Sequence, residues 1–221
     1  MSATLPKKWA GSLSWRRVSR NVNDYGWGTA IRKILNSAAH NIYYNRAYVL
    51  YRGDLSRSRL PEPSQPGFEF RFIAPSEKDF LRQIGAMEEW LEGELERMLK
   101  EGGKCLVALD GDQIAGFNVV SFEKIALPVI AFSRRLRKGE AYSEQITVKS
   151  SYRGRNLGSL LRIEMFRSLQ ALGMRKIYGG TDIGNRSNLA LCAKVGLKPF
   201  AVIRHIQIFG FKTSTIQRRH L

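Results

Sequence analysis

Apolar positions along the 221-residue chain recur with two periods, and the switches between them mark out the elements. Residues 68–73 alternate as a strand does. Pro75-Ser76 then opens a helix, with Ser76 as N-cap three residues before Asp79. A second helix follows. Ile84, Met87, Leu91, Leu95 and Met98 fall along one face, Glu88, Glu92 and Glu96 fall off it, and Gly102-Gly103 ends it. Residues 105–109 and 114–122 form a hairpin about Asp110-Gly111, because Asp-Gly supplies the positive φ that a tight turn needs. Residues 141–148 are the next strand, and a polar loop over 149–157 leads into a helix over 158–172. There Leu161, Met165, Leu169 and Leu172 share a face. A strand over 176–181, a helix over 187–194 and a strand-rich stretch over 200–211 complete the pattern. The predicted order is β-α-α-β-β-β-α-β-α-β: an α/β fold with a mixed central sheet and helices on both faces.

The first sixty residues read differently. Residues 30–42 predict a short helix and 46–51 an aromatic-rich strand. Pro61, Pro63 and Pro66 then fall in a Ser- and Arg-rich stretch over 54–67 that reads as a linker. The expected organisation is an N-terminal extension over 1–62, one domain over 63–212 and a frayed basic tail over 213–221. Tyr43, Tyr44, Tyr48 and Tyr51 are expected to pack the extension on the domain or against a second copy in a homodimer.

Composition narrows the class. With 43% hydrophobic and 25% charged residues, the chain is neither disordered throughout, collagenous nor a coiled coil. The longest apolar run, over 125–132, is far short of the ~20 residues that span a bilayer. No secretory signal is visible, and the two cysteines, Cys105 and Cys192, make no disulfide framework, so a reduced, cytoplasmic protein is expected. The net charge of +17 is unevenly spread: +8 over residues 1–62, −5 over 63–133 and +14 over 134–221. A polyanion is drawn to the last third.

That third holds the loop Arg153-Gly154-Arg155-Asn156-Leu157-Gly158-Ser159, between a strand and an amphipathic helix. Gly154, Asn156 and Gly158 tolerate unusual backbone angles, and a strand entering a helix through such a loop turns successive N–H groups outward. With the helix dipole these donors make an anion site suited to a pyrophosphate, and Arg153 and Arg155 add charge. No G-x-x-x-x-G-K-[ST] or first-strand G-x-G-x-x-G is present, nor a G-x-S-x-G elbow. His40, His205 and His220 lack ligand spacing, so no metal is expected.

Over residues 68–212 the chain resembles the GNAT superfamily, the GCN5-related N-acetyltransferases. The family's [Q/R]-x-x-G-x-[G/A] stretch is matched by Arg153 to Gly158 following Val148; the hairpin around Asp110-Gly111 and the segment from Asn185 to Gly196-Leu197 are similar too. The resemblance implies acetyl-CoA, or another acyl-CoA, as acyl donor to an amine that attacks directly in a ternary complex. Ile146, Thr147 and Val148 would lie along the pantetheine, Arg153 to Ser159 would hold the pyrophosphate, and Asn185 would lie near the pantetheine arm. A backbone N–H near Val148 would polarise the thioester carbonyl. Glu144, on the same strand face as Tyr142 and Ile146 by period-2 alternation, is the candidate base, with Asp182 as runner-up. Tyr142 would orient the acceptor. Cys192 occupies the position where similar proteins often carry a Tyr that protonates the leaving thiolate; it is read as helix packing or a weak proton donor, which leaves water or the product amine to protonate the sulfur. The middle glycine of the loop is also replaced, by Asn156.

Two further readings stay open. The donor is an acyl chain on an acidic acyl carrier protein, docked on Arg134, Arg135, Arg137 and Lys138. Alternatively, the chain is a nucleic-acid or membrane-surface binding module on a degenerate fold, using Lys7, Lys8, Arg16, Arg17 and Arg20 interleaved with Trp9, Trp15 and Trp27.

Overall fold

The computed structural model describes Gly28 and residues 43–56, 67–127, 132–208 and 211–218. The expected helix over 30–42, the linker prolines and the basic–aromatic N-terminus lie outside them. Among the described residues an eight-stranded mixed sheet runs in the order β10-β9-β1-β8-β7-β4-β3-β2. In chain order the strands are β1 (Tyr43–Asp54), β2 (Glu69–Phe72), β3 (Lys104–Asp110) and β4 (Gln113–Ser121), then β7 (Glu140–Val148), β8 (Lys176–Asp182), β9 (Lys198–Ile208) and β10 (Phe211–Arg218). β5 (Lys124–Leu127) and β6 (Phe132–Arg135) form a separate two-stranded ribbon. Helices α1 (Lys78–Met87) and α2 (Glu94–Lys100) cover one face, and α3 (Leu157–Ala171) and α4 (Arg186–Lys194) the other.

The two cores follow from strand alternation. Cys105, Val107 and Leu109 of β3 point to the α1–α2 side, where Ile84, Leu91, Leu95 and Leu99 meet them. Leu106 and Ala108 point to the α3 side and meet Leu157, Leu161 and Met165. Covered on both faces, β3 is buried from Cys105 to Leu109, which is why it reads as a continuous apolar run.

Several local expectations are revised. Ser76 does not cap α1. Its N-cap is Glu77, whose carboxylate instead accepts from the Ala74 amide at 2.6 Å and from Arg71 at 2.8 Å. The predicted second helix is broken. Glu88 is extended, residues Glu89–Leu91 make one 3-10 turn, and Gly93 takes φ 74 before α2 starts. The apolar spacing survives that break, since Ile84, Leu91 and Leu95 are all buried. The aromatic-rich strand is longer than 46–51 and lies within the sheet, paired antiparallel to β8 and β9. Residues 213–218, expected at the start of a frayed tail, belong to the edge strand β10, which pairs with β9. From the run over 125–132, residues 125–127 and Phe132 belong to the β5–β6 ribbon, whose Ile125 is buried against Tyr142 and Tyr178.

Candidate active site

β7 and β8 run parallel but pair only from Glu140–Lys176 to Ser143–Gly179. Beyond those residues both strands continue, unpaired with each other: β7 through Glu144 to Val148, β8 through Gly180 to Asp182. A β-bulge lies at the same point. β4 pairs Val119 with Gln145 and Val120 with Ser143, which leaves Glu144 as the extra residue. A bulge bends its strand and re-aims a side chain, and here it marks the fork between the strands.

The bulge also resets the alternation. Tyr142 and Glu144 face one cavity on the α1–α2 side, whereas Ile146 packs with Val148 against the core beneath α3. Glu144 and Ile146 are therefore not on one face, contrary to the simple period-2 expectation. Past the bulge, the Lys149 amide donates to Ala115 of β4 at 2.9 Å. By ladder alternation the peptide groups of Ile146 and Val148 then turn away from β4 to the open edge. The Thr147 hydroxyl is engaged on the α1 side, donating to Glu88 Oε1 at 3.1 Å and accepting from Gln145 at 2.9 Å.

The cavity at the fork has a volume of about 320 Å³, within the range of small-ligand sites. Aromatic rings of Tyr48, Trp90, Phe122 and Tyr142 form much of its wall, and Gly180 of β8 faces Glu144 across the fork. Glu94, Glu101, Glu123 and Glu144 outnumber Arg97 and Lys124 in its lining. Arg97 is itself held by Glu94 and Glu101. Burial pushes the Glu144 carboxyl up to about 7; Ser121, donating at 2.9 Å, and Lys124 oppose that rise, while Glu94 adds to it. Tyr142 is buried and its phenol is held well above the ordinary range, first by desolvation and then by Glu144. It is thus a fixed neutral wall of the cavity.

At the other end of the open edge lies the 153–159 loop. Four residues of extended strand, about 13 Å, separate Glu144 from Val148. Gly154 takes φ 80, and Asn156 takes φ 60, the one non-glycine residue with positive φ among those described. The Lys194 ammonium donates to Asn156 Oδ1 at 2.8 Å, tying α4 to this turn. The amides of Gly154, Arg155, Asn156, Leu157 and Gly158 donate to no group among the described residues. Five consecutive unengaged donors thus stand at the start of α3, the kind of backbone surface to which anions are drawn. Tyr152 anchors the loop from below: its hydroxyl donates to Asp110 at 2.9 Å, Phe68 stacks edge-on to its ring, and Arg155 lies over it. Arg153 and Arg155 are exposed, and Leu157 and Ser159 are buried.

The remaining candidates occupy α4 and the end of β8. Asn185 caps α4, its Oδ1 accepting from the Asn188 amide at 3.1 Å and the Ser187 hydroxyl at 3.2 Å. Asp182 pairs with Arg46 of β1 at 3.2 Å and accepts from the Gly184 amide, so it is bound into a turn away from the cavity lining. Cys192 is buried, its thiol raised chiefly by desolvation, and it accepts from Arg162 Nη1 at 3.3 Å. In the basic cluster, Arg134 is turned inward: it pairs with buried Glu140 at 3.0 Å and lies over Tyr178, while Arg135, Arg137 and Lys138 are exposed. Among the described residues, no three His, Cys, Asp or Glu side chains gather as a metal site, and no helix is long and apolar enough to cross a membrane.

The profile of the acetyltransferase (GNAT) family matches residues 68–197, more than half of the chain. The chain belongs to the acetyltransferase (GNAT) family. No curated protein matches it in sequence. Among solved structures it is similar to a GCN5-related N-acetyltransferase from Sphaerobacter thermophilus. That match has 17% identity and a TM-score of 0.57, and covers 85% of this chain and 58% of that one. It is also similar to a tandem GNAT protein from the clavulanic acid biosynthesis pathway, at 16% identity and a TM-score of 0.54, covering 76% and 55%. A GCN5-related glucosamine N-acetyltransferase region of a fungal multi-domain enzyme matches at 16% identity and a TM-score of 0.57, covering 78% of this chain and 22% of that one. The chain thus spans less than two thirds of each, and likeness at such identity speaks to the GNAT fold alone.

Within that fold, sequence reasoning missed Ser121, Trp90 and Tyr48 as cavity residues and Arg162 as the neighbour of Cys192. Tyr48 reaches the cavity only because β1 joins the sheet beside β8. A lone strand aromatic carries no local signal of that pairing. An arginine inside an amphipathic helix pattern at Arg162 was the one readable anomaly.

Proposed function

We propose that the protein transfers an acetyl group from acetyl-CoA to a primary amine by direct attack in a ternary complex. One observation carries this reading: a single open edge of β7 joins a row of five unengaged amides at one end to a half-buried carboxylate in a cavity at the other. The donor's diphosphate rests on the amides of residues 154–158 with Arg153 and Arg155 beside it. Its arm lies along Ile146 to Val148, pairing with the peptide groups turned to the open edge. The Ile146 amide, at the end of that open edge nearer Glu144, is the donor for the thioester carbonyl and stabilises negative charge on its oxygen.

The acceptor enters from the cavity. Its excess of carboxylates draws a cationic amine, and the rings of Trp90 and Tyr142 pack its apolar part. An alkylammonium has a pKa near ~10.4 in water, so a base is required at neutral pH. Glu144, raised to about 7, is poised to take that proton. Asn185 acts by fixing the start of α4 beside the arm.

The test is a thiol-release assay with acetyl-CoA against a panel of primary amines, with Glu144→Gln and Arg153→Ala run in parallel. Glu144→Gln is expected to lose turnover while binding donor normally, and Arg153→Ala to weaken donor binding about tenfold, the value of one charge-assisted bond. Unchanged turnover in the first variant removes the base assignment, and unchanged donor affinity in the second removes the cradle.

A further inference from the structure

Arg162 is buried, 3% exposed, yet no carboxylate faces it among the described residues. Its Nη1 donates to the Cys192 sulfur at 3.3 Å and its Nη2 to Asn188 Oδ1 at 3.2 Å, while its Nε is buried with no partner. Desolvation lowers its pKa, and Cys192 is the titratable group that opposes this. Cys192 is a neutral thiol, held above its ordinary range by burial, so it supplies no countercharge. A guanidinium taken out of water without an anion is a costly arrangement. Its geometry matches an anion that comes and goes.

The group is linked to the fork through α4. Asn188, which it holds, donates to Thr181 Oγ1 at 3.0 Å, and Thr181 is on β8 two residues past the last pairing with β7. Gly158, one helical turn earlier on the same face of α3, approaches Val148 of β7; a Cβ there would lie 3.8 Å from the Val148 methyl. The guanidinium is therefore joined to β8 through Asn188, and its helix approaches β7 at Gly158, on the α3–α4 side opposite the cavity that holds Glu144.

We infer that Arg162 stabilises the thiolate that the acyl donor releases. The inference rests on the reading above that the donor is a coenzyme A thioester. As the amine nitrogen bonds to the carbonyl carbon, the carbon–sulfur bond breaks and its electron pair goes to sulfur. Glu144 has already taken one proton of the ammonium. The second leaves the nitrogen for the sulfur, so that amide and free thiol result. Between those events the sulfur is an anion, and the unpartnered Nε–H and the guanidinium charge complement it. Cys192 and Asn188 position the guanidinium and take up no acyl group.

The test reads the bound thiol itself. Full-length protein saturated with coenzyme A is titrated by its ultraviolet thiolate absorbance, beside free coenzyme A, for wild type, Arg162→Lys and Arg162→Gln. An opposite charge within a few ångströms lowers a pKa by about 1–3, so the thiolate-to-thiol ratio on wild type is expected to exceed that of free coenzyme A at least tenfold. Arg162→Lys keeps part of this gain and Arg162→Gln loses it. Affinity for desulfo-coenzyme A, which has no thiol, stays equal in all three. A bound thiol titrating like free coenzyme A on wild type overturns the inference even where a variant fails to fold. An equal loss of affinity for both ligands in Arg162→Gln also overturns it, by showing a structural role. Wild type binding neither ligand would instead remove the donor reading, and this inference with it.

Discussion

Replacing Glu144 by Gln removes the charge of one half-buried carboxyl and leaves its shape and the acceptor for Ser121 in place. The fold holds that carboxyl at about 7, against an ordinary glutamate value of about 4.5, a gap worth about 3 kcal/mol. The sign follows from proton counting. Below about pH 4 both folded and unfolded chains keep the proton, and wild type carries no penalty. As pH rises the unfolded chain releases it first, so wild-type stability falls until the folded carboxyl ionises near 7. Glu144→Gln escapes this loss. It is expected to match wild type near pH 4 and to exceed it by up to about 3 kcal/mol at pH 8, read from urea unfolding followed by tryptophan fluorescence. The same variant is expected to lose about 10²–10⁴-fold in turnover, the usual worth of a general base. In wild type kcat/KM should fall as pH drops below 7, where Glu144 holds its proton and cannot accept another. A stability difference that does not change with pH refutes the half-buried-carboxylate reasoning. A variant that gains stability and keeps full turnover refutes the catalytic role alone.

Other outcomes follow from local geometry. Gly116→Ala places a Cβ 2.8 Å from the Thr147 carbonyl oxygen and 2.8 Å from Leu161, so it should destabilise by about 1–3 kcal/mol in urea unfolding. Asn156→Ala must hold φ 60 without the Lys194 bond and should cost about 1–2 kcal/mol, whereas Asn156→Gly should be nearly neutral, as thermal melts would reveal. Leu161→Ala opens the core between α3 and the sheet and should cost about 2–5 kcal/mol by the same measure.

The hairpin and α3 were legible because each is decided within a few neighbouring residues. Gly111 supplies its turn with φ 56, and Leu161, Met165 and Leu169 reach the core from positions four apart. The loop over 153–158 was legible for the same reason: Gly154 and Asn156 take left-handed angles that these residue types favour. The breaks at Glu88 and Gly93 were hidden, since the apolar spacing of Ile84, Leu91 and Leu95 continues across them.

Local chemistry along the chain thus determined most of the element types, the family pattern and the backbone of the loop over 153–158, all set by side-chain spacing and backbone preference. Tertiary structure decided which side chains meet. Pairing between distant strands brought Tyr48 to the cavity and set the extra residue of β7 at Glu144, turning its carboxylate away from the face of Ile146. Packing of α3 on α4 buried Arg162 beside Cys192. Register and burial depend on contacts between residues far apart in sequence, and so does the protonation of Glu144.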